Sequence, residues 1–273
     1  MYRAELLGLR TVRATTVAAL VAVLGLIATQ VTFVTVLPAL ARGDIGPGAE
    51  ALGGDLPAFS LTSGAEQLAA LSPLGATSGG GSLGVVVLAV TLLGVLAGTS
   101  DFRFGGIVGA ALASPRRERI LVAKAAATAT IAAVIGLALV VVSVITLAAT
   151  LATSGIPLTV GAVAAAGVLA RGVLVVALLA LLGLAIGVVA RNQLAGVLIT
   201  LSILILEPVV QATVGLITGG VPAWTQFLPV ALAQSAVGSG PGLLSPAIAL
   251  VALVGLTGIV LVAAAVDLRR RDV

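Results

Sequence analysis

The sequence predicts an all-α, polytopic membrane protein with six transmembrane helices. Three observations carry this. The chain is 60% hydrophobic and only 9% charged, uncharged runs of spanning length recur along it, and basic residues gather in alternate connections. Soluble domains run near ~25% charged and need that polarity for their surface, so a bilayer is the solvent that suits this composition.

A helix crossing about 30 Å of hydrocarbon needs roughly 20 apolar residues, and six runs meet or approach that length. Residues 17–37 and 247–266 are uncharged throughout. Residues 83–99 form a shorter run, entered through a Gly-rich stretch and closed by Asp101. The run 125–151 is long enough to tilt or to extend beyond the core. Residues 172–190 follow Arg171, and 194–214 carry Glu207 and Pro208. All six are read as one transmembrane domain, residues 1–273.

Orientation follows from the basic residues, because short cytoplasmic loops retain Arg and Lys. With both termini cytoplasmic, the inner set is Arg3, Arg10, Arg13, Arg103, Arg116, Arg117, Arg119, Lys124, Arg191, Arg269, Arg270 and Arg271, leaving only Arg42 and Arg171 outside or near the outer face. The net charge of +4 is therefore a topology signal and not a nucleic-acid surface. The excess of Arg over a single Lys reads as coding bias. Three Arg precede the first run and Ala39-Leu40-Ala41 would suit signal peptidase, but the run exceeds the ~7–15 residues of a signal peptide. It is expected to be retained as the first span. Residues 1–13 admit a weakly amphipathic interfacial helix.

Three segments do not span. Residues 41–82, rich in Gly, Pro, Ser and acid, read as an outer loop with a short helix around 65–71. Residues 215–246 are apolar but interrupted by Gly and Pro, so short re-entrant or interfacial helices are expected between spans 5 and 6, with Trp224 and Phe227 at headgroup level. The cytoplasmic region 100–124 predicts two helices. Ser100 or Thr99 caps the first, which runs to Ala113; Ser114 caps the second, with Pro115 in its first turn. The first displays Phe102, Phe104, Ile107, Val108 and Leu112, more apolar surface than a solvated loop needs.

The absence of Cys and His excludes disulfides, zinc sites of the Cys/His type, Cys nucleophiles and Ser-His-Asp triads. A Walker A loop needs Gly-Lys-Ser/Thr to reach the phosphates and Mg²⁺, yet Lys124, the sole lysine, lies between Ala123 and Ala125. The chain therefore has no Walker A, any nucleotide energy is expected to come from another subunit, and no cofactor or metal site is expected in this chain. Glu207 is the one acid inside a predicted span, and an ionisable group there is a functional hypothesis by default. Arg171, on the neighbouring helix, lies within reach. The expectations are a structural ion pair, a Glu near the outer mouth where Pro208 breaks the helix, or a role in a substrate or proton path. Gly94–Gly98 and Gly183–Gly187 match the Gly-x-x-x-Gly packing motif, of which chance alone yields roughly four at this glycine content.

In order along the chain stand basic residues Arg3 to Arg13, then Asp101-Phe102-Arg103-Phe104-Gly105, then Ser114-Pro115-Arg116-Arg117 and Ala123-Lys124. Arg191-Asn192, Glu207-Pro208, Phe227-Leu228-Pro229 and the terminal Arg270-Arg271-Asp272-Val273 follow. The set resembles the type-2 ABC exporter permeases, the six-span membrane subunits of ATP-binding-cassette efflux systems. Gly106 departs from it, since members often carry Thr after the Gly. The resemblance implies a homodimer or pseudo-dimer in the plasma membrane of a prokaryote, working with a separate ABC ATPase subunit that holds ATP and magnesium. It also implies a coupling helix from Asp101 to Ala113, with Asp101, Phe102, Arg103, Phe104, Pro115, Arg116 and Arg117 at the ATPase contact. The substrate would be apolar or amphipathic and no nucleic acid is involved. Two other readings stand beside it. One is an ion-coupled carrier or channel using Glu207 and Arg171; the other is a membrane anchoring protein whose outer loop binds a partner.

Overall fold

The computed structural model describes residues 1–43, 45, 61–75, 84–104, 117–220, 222–238 and 244–270. Helices account for all the regular structure among them. α1 (Tyr2–Thr11) leads through Val12 into α2 (Arg13–Gln30). A π-helical turn, Val31–Val36, connects α2 to α3 (Leu37–Arg42), which stops at Gly43 with φ 77°. The wide turn lies immediately before Pro38, whose ring would clash with a carbonyl in an ordinary α-helix and which has no N–H to donate. The first span thus runs past residue 37.

α4 (Gly64–Ala70) is the short outer helix that the sequence predicts, and Ser63 with Glu66 closes it in a reciprocal capping box. α5 (Val85–Phe104), α6 (Arg117–Ser154), α7 (Ala162–Ala190), α8 (Gln193–Thr218), α9 (Pro229–Val237) and α10 (Pro246–Arg270) complete the chain, with a 3₁₀ turn at Ala223–Phe227. The interrupted segment between α8 and α10 does contain short helices, and Trp224 and Phe227 remain half exposed.

Among the described residues, five helices are long and apolar enough to cross a membrane: Arg13–Leu40, Glu118–Ser154, Ala162–Ala190, Gln193–Thr218 and Pro246–Arg269. The protein is a multi-pass membrane protein. The expected span 83–99 corresponds to α5, whose apolar part, Val85–Ser100, extends about 24 Å and falls short of the ~30 Å core. The other spans run longer than their uncharged runs. α7 begins ten residues before the expected start because a single arginine, Arg171, does not interrupt a helix whose partners accept its head group. α8 continues through Pro208 to Thr218, a proline being tolerated within membrane helices when neighbours satisfy the freed backbone.

α7 is the centre of the bundle. In its most apolar stretch 61% is buried, against at most 33% in the other four spans, and it packs on α4, α5, α6, α8, α9 and α10. Its tightest partner is α5, and the two glycine motifs meet there. A Cβ on Gly94 would collide with the Ala180 carbonyl oxygen, and one on Gly98 would come within 2.5 Å of that of Leu184. Reciprocally, a Cβ on Gly183 would meet the Thr91 carbonyl and one on Gly187 would lie 2.6 Å from that of Val95. Each motif accommodates the other's backbone, the close approach that small residues permit in membranes.

The first cytoplasmic helix expected from the sequence does not begin at Ser100. α5 runs on through Asp101–Phe104, and the hydroxyls of Thr99 and Ser100 donate to the Val95 and Ala97 carbonyls at 2.9 Å each. Bonded back along their own helix, they cannot cap a new one. The second expected helix merges with span 3 into α6. Residues 105–116, including Pro115 and Arg116, lie outside the described residues, as do the side chains of Asp101, Arg103, Phe104 and Arg117.

Candidate functional site

Two polar constellations stand out, one at the end of the bundle that carries both termini and one deep in its opposite half. The first is built around the foot of α6. Lys124 is only 4% exposed, and its Nζ makes an ion pair with Glu5 of α1 at 3.1 Å and donates to the Ala97 carbonyl at 3.3 Å. Leu6 and Leu9 pack against Ala97, Ala127 and Leu184, and Tyr2 shares a 3.0 Å hydrogen bond with Thr130. The predicted interfacial helix is thereby fastened to α5, α6 and α7. Removing a partner of a buried pair costs ~3–5 kcal/mol, less where one side chain keeps some exposure, as Glu5 does. Lys124→Met is expected to release α1, seen as faster tryptic cleavage after Arg10 with little change in the melting of the remaining helices.

Beside this foot, the turn between α7 and α8 holds Arg191 at φ 53°, the one described non-glycine residue with positive φ. That conformation costs on the order of 1–2 kcal/mol, and the surroundings fix it. Arg191 Nη2 donates to the Asp267 carboxylate at 3.2 Å and to the Asp267 carbonyl at 3.3 Å, while its guanidinium lies 5.7 Å from the Phe102 ring centroid. Asn192 then caps α8, its Oδ1 accepting from Leu194 N at 2.9 Å and Ala195 N at 3.4 Å. Glu118 and Arg269 form an exposed ion pair between α6 and α10, a weak link by itself. Phe102 packs on Leu121, Ala185, Val188, Ala264 and Leu268. The ends of α5, α6, α7 and α10 and the start of α8 are joined here, and an open cavity of about 560 Å³ lies against Phe102, Arg191, Asn192, Gln193, Leu194 and Val197. Of the residues the family resemblance points to, Phe102 and Lys124 meet at this end. Arg191 and Asn192, the basic-polar turn between adjacent spans that belongs to the same ordered set, lie there too.

The second constellation contains Glu207 and Arg171, and it joins them through a helix instead of directly. α9 starts at Pro229 after Leu228, and a leucine has no side-chain acceptor for the unpaired N–H groups of a first turn. Glu207, 5% exposed, supplies it from α8. Its Oε2 accepts from Val230 N at 2.9 Å and its Oε1 from Ala231 N at 2.7 Å. Gln211, one turn further along α8, donates to Glu207 at 3.4 Å and to the Thr225 carbonyl at 3.5 Å.

At the other end of α9, Gly238 adopts φ 84° and its N–H returns to the Gln234 and Ser235 carbonyls, a turn that favours glycine. Arg171 Nε and Nη2 donate to the Val237 carbonyl at 3.3 and 3.2 Å. An acid thus holds the positive end of the α9 dipole and a base holds its negative end. The length of α9, about 13 Å, separates the two groups. The sequence carried a signal for this arrangement: an apolar residue before Pro at a helix start, Leu228-Pro229, needs an acceptor from elsewhere, and Glu207 is the buried acid available.

No protein-family model matches this chain, and no curated protein is similar to it.

Proposed function

We propose that the protein is the membrane-spanning permease subunit of an ABC-type exporter, moving an apolar or amphipathic substrate outward with energy from a separate ATPase subunit. In this reading α5 is the sixth crossing, both termini are cytoplasmic, and the membrane is the plasma membrane of a prokaryote. Two permease chains, identical or homologous, work with ATPases that hold ATP and magnesium. The convergence of Phe102, Arg191 and Asp267 beside an open cavity is the observation that carries the proposal. A force applied there reaches α5, α7, α8 and α10 together, as coupling to an external ATPase requires. The 12 basic residues assigned to the same side by the positive-inside rule and the absence of a Walker A sequence support it.

Phe102 packs into the bundle, so substituting it would disturb the fold as well as docking. Leu194 is a better probe, being 69% exposed on the rim of the cavity. Cross-linked tagged protein from its native host is expected to yield a stoichiometric soluble subunit bearing Gly-x-x-x-x-Gly-Lys-Ser/Thr. Leu194→Asp should reduce its recovery at least tenfold without altering the elution profile of the permease. Cross-linked preparations devoid of such an ATPase would overturn the reading. Transport by vesicles containing this chain alone, driven by an ion gradient and abolished by Glu207→Gln, would instead establish the ion-coupled carrier.

A further inference from the structure

An apolar cavity of about 670 Å³ lies between α6 and α7 at the end opposite the termini. We infer that it is a binding site for the aliphatic portion of an amphipath, independent of the exporter reading. Its thirteen described lining residues are all apolar. Ala148 and Ala152 of α6 face Ala162, Ala165 and Ala166 of α7 across it. Alanines add little bulk, so an open slot remains where larger residues would interdigitate. The slot follows the helices: 144–152 extends about 12 Å along α6 and 162–169 about 10 Å along α7. An aliphatic chain can lie along this axis in contact with both helices.

The slot is held open by the segment that forms its lip. α6 ends in a turn at Gly155, φ 65°, and residues 156–160 then cross to α7. Gln67, fully buried, fixes that crossing from α4. Its Nε2 donates to the Pro157 carbonyl at 3.0 Å and its Oε1 accepts from Thr159 N at 2.9 Å. These two bonds bracket Leu158, which lines the cavity and is itself 65% exposed. The lip therefore cannot fold inward without breaking both.

Chemistry selects the occupant. A stable buried water needs two to four polar partners, and the lining side chains offer none. The volume lies within the ~300–1,000 Å³ of small-molecule sites. No charged residue occurs from Ala125 to Ala170, and the guanidinium of the next residue, Arg171, is engaged by the Val237 carbonyl. The site reads the hydrocarbon and is indifferent to what it carries.

The test uses the full chain reconstituted in phosphatidylcholine vesicles. One set contains a phosphatidylcholine with a photoreactive diazirine in one acyl chain; a parallel set contains a single-chain fatty acid with the same group. Labelled residues are located by mass spectrometry across a range of probe fractions. Labelling of the cavity is expected to saturate and to exceed tenfold that of the outward residues Leu198 and Ile205 on α8, where it should rise linearly. Ala148→Phe with Ala165→Phe should lower cavity labelling at least fivefold and leave α8 unchanged. Should that double variant not fold, Leu158→Ala, which opens the lip, should shift saturation to a higher probe fraction. Saturable labelling by the diacyl probe assigns the chain to bilayer lipid, and labelling by the fatty acid alone assigns it to a free amphipath; either supports the site. Linear labelling indistinguishable from that on α8, with both probes, would overturn it.

Discussion

Glu207→Ala is expected to release α9 from its place between α7 and α10 and to lower the melting transition of the detergent-solubilised protein by a larger margin than substitution of any exposed side chain. Two backbone N–H groups, those of Val230 and Ala231, lose their acceptor. Glu207 is only 5% exposed, so solvent is a poor substitute for the lost acceptor. An unsatisfied buried polar group costs ~1–3 kcal/mol, with the upper part of that range for bonds to charged groups, so the pair amounts to about 3 kcal/mol or more. Glu207→Gln keeps one acceptor oxygen and should lose roughly half as much. Arg171→Met, which vacates the Val237 carbonyl, should add little to Glu207→Ala once α9 is free. Thermal unfolding of the two single variants and the double variant checks this; simple addition of the losses would mean that the charges act separately and not through α9.

The crossing of α5 and α7 should be the least tolerant place in the protein. Ordinary overpacking costs ~1–3 kcal/mol because side chains shift, but the atoms that oppose Gly94 and Gly183 are backbone carbonyls, and making room means separating two helices. Gly94→Ala and Gly183→Ala are each expected to exceed that range, measured as lost folded yield and melting temperature. Gly255→Ala and Gly258→Ala on α10 provide the contrast. Nothing lies within 4 Å of a Cβ at either position, and each should be neutral or stabilising by up to ~1 kcal/mol, the helix preference for Ala over Gly. Equal effects at all four glycines would show that the loss reflects helix flexibility and not interhelical contact.

The spanning character of the chain was legible because hydrocarbon imposes a length and forbids most charges. The same rule misplaced the helix ends. Uncharged runs mark what lies in lipid, whereas helices continue wherever backbone bonds do, and α6 therefore begins at Arg117 and α7 at Ala162. Ser100 illustrates a different limit. Serine before an apolar, periodic segment reads as a cap, but the same hydroxyl serves as well bonded to Ala97 inside a continuing helix. The relation of Glu207 to Arg171 was half visible. Their charge and depth pointed to each other, yet a short helix running from one to the other satisfies both, and nothing in the spacing of residues 171 and 207 specifies it. The glycine motifs were hidden by abundance: among 34 glycines, the mutual pairing of two sets is a property of which helices meet.

The intimacy of α5 with α7 has a bearing on how the chain matures. α5 is the segment with the least apolar length to partition into lipid unaided, and the surface it matches so closely belongs to a helix synthesised after the whole of α6. Until α7 emerges from the ribosome, the glycine faces of α5 have no backbone to receive. In the six-span reading, membrane integration of α5 should therefore be a late event, gained only when α7 is made. Chains truncated before residue 162 and released from the ribosome would leave α5 accessible to aqueous labelling, and released chains that extend beyond 190 would protect it.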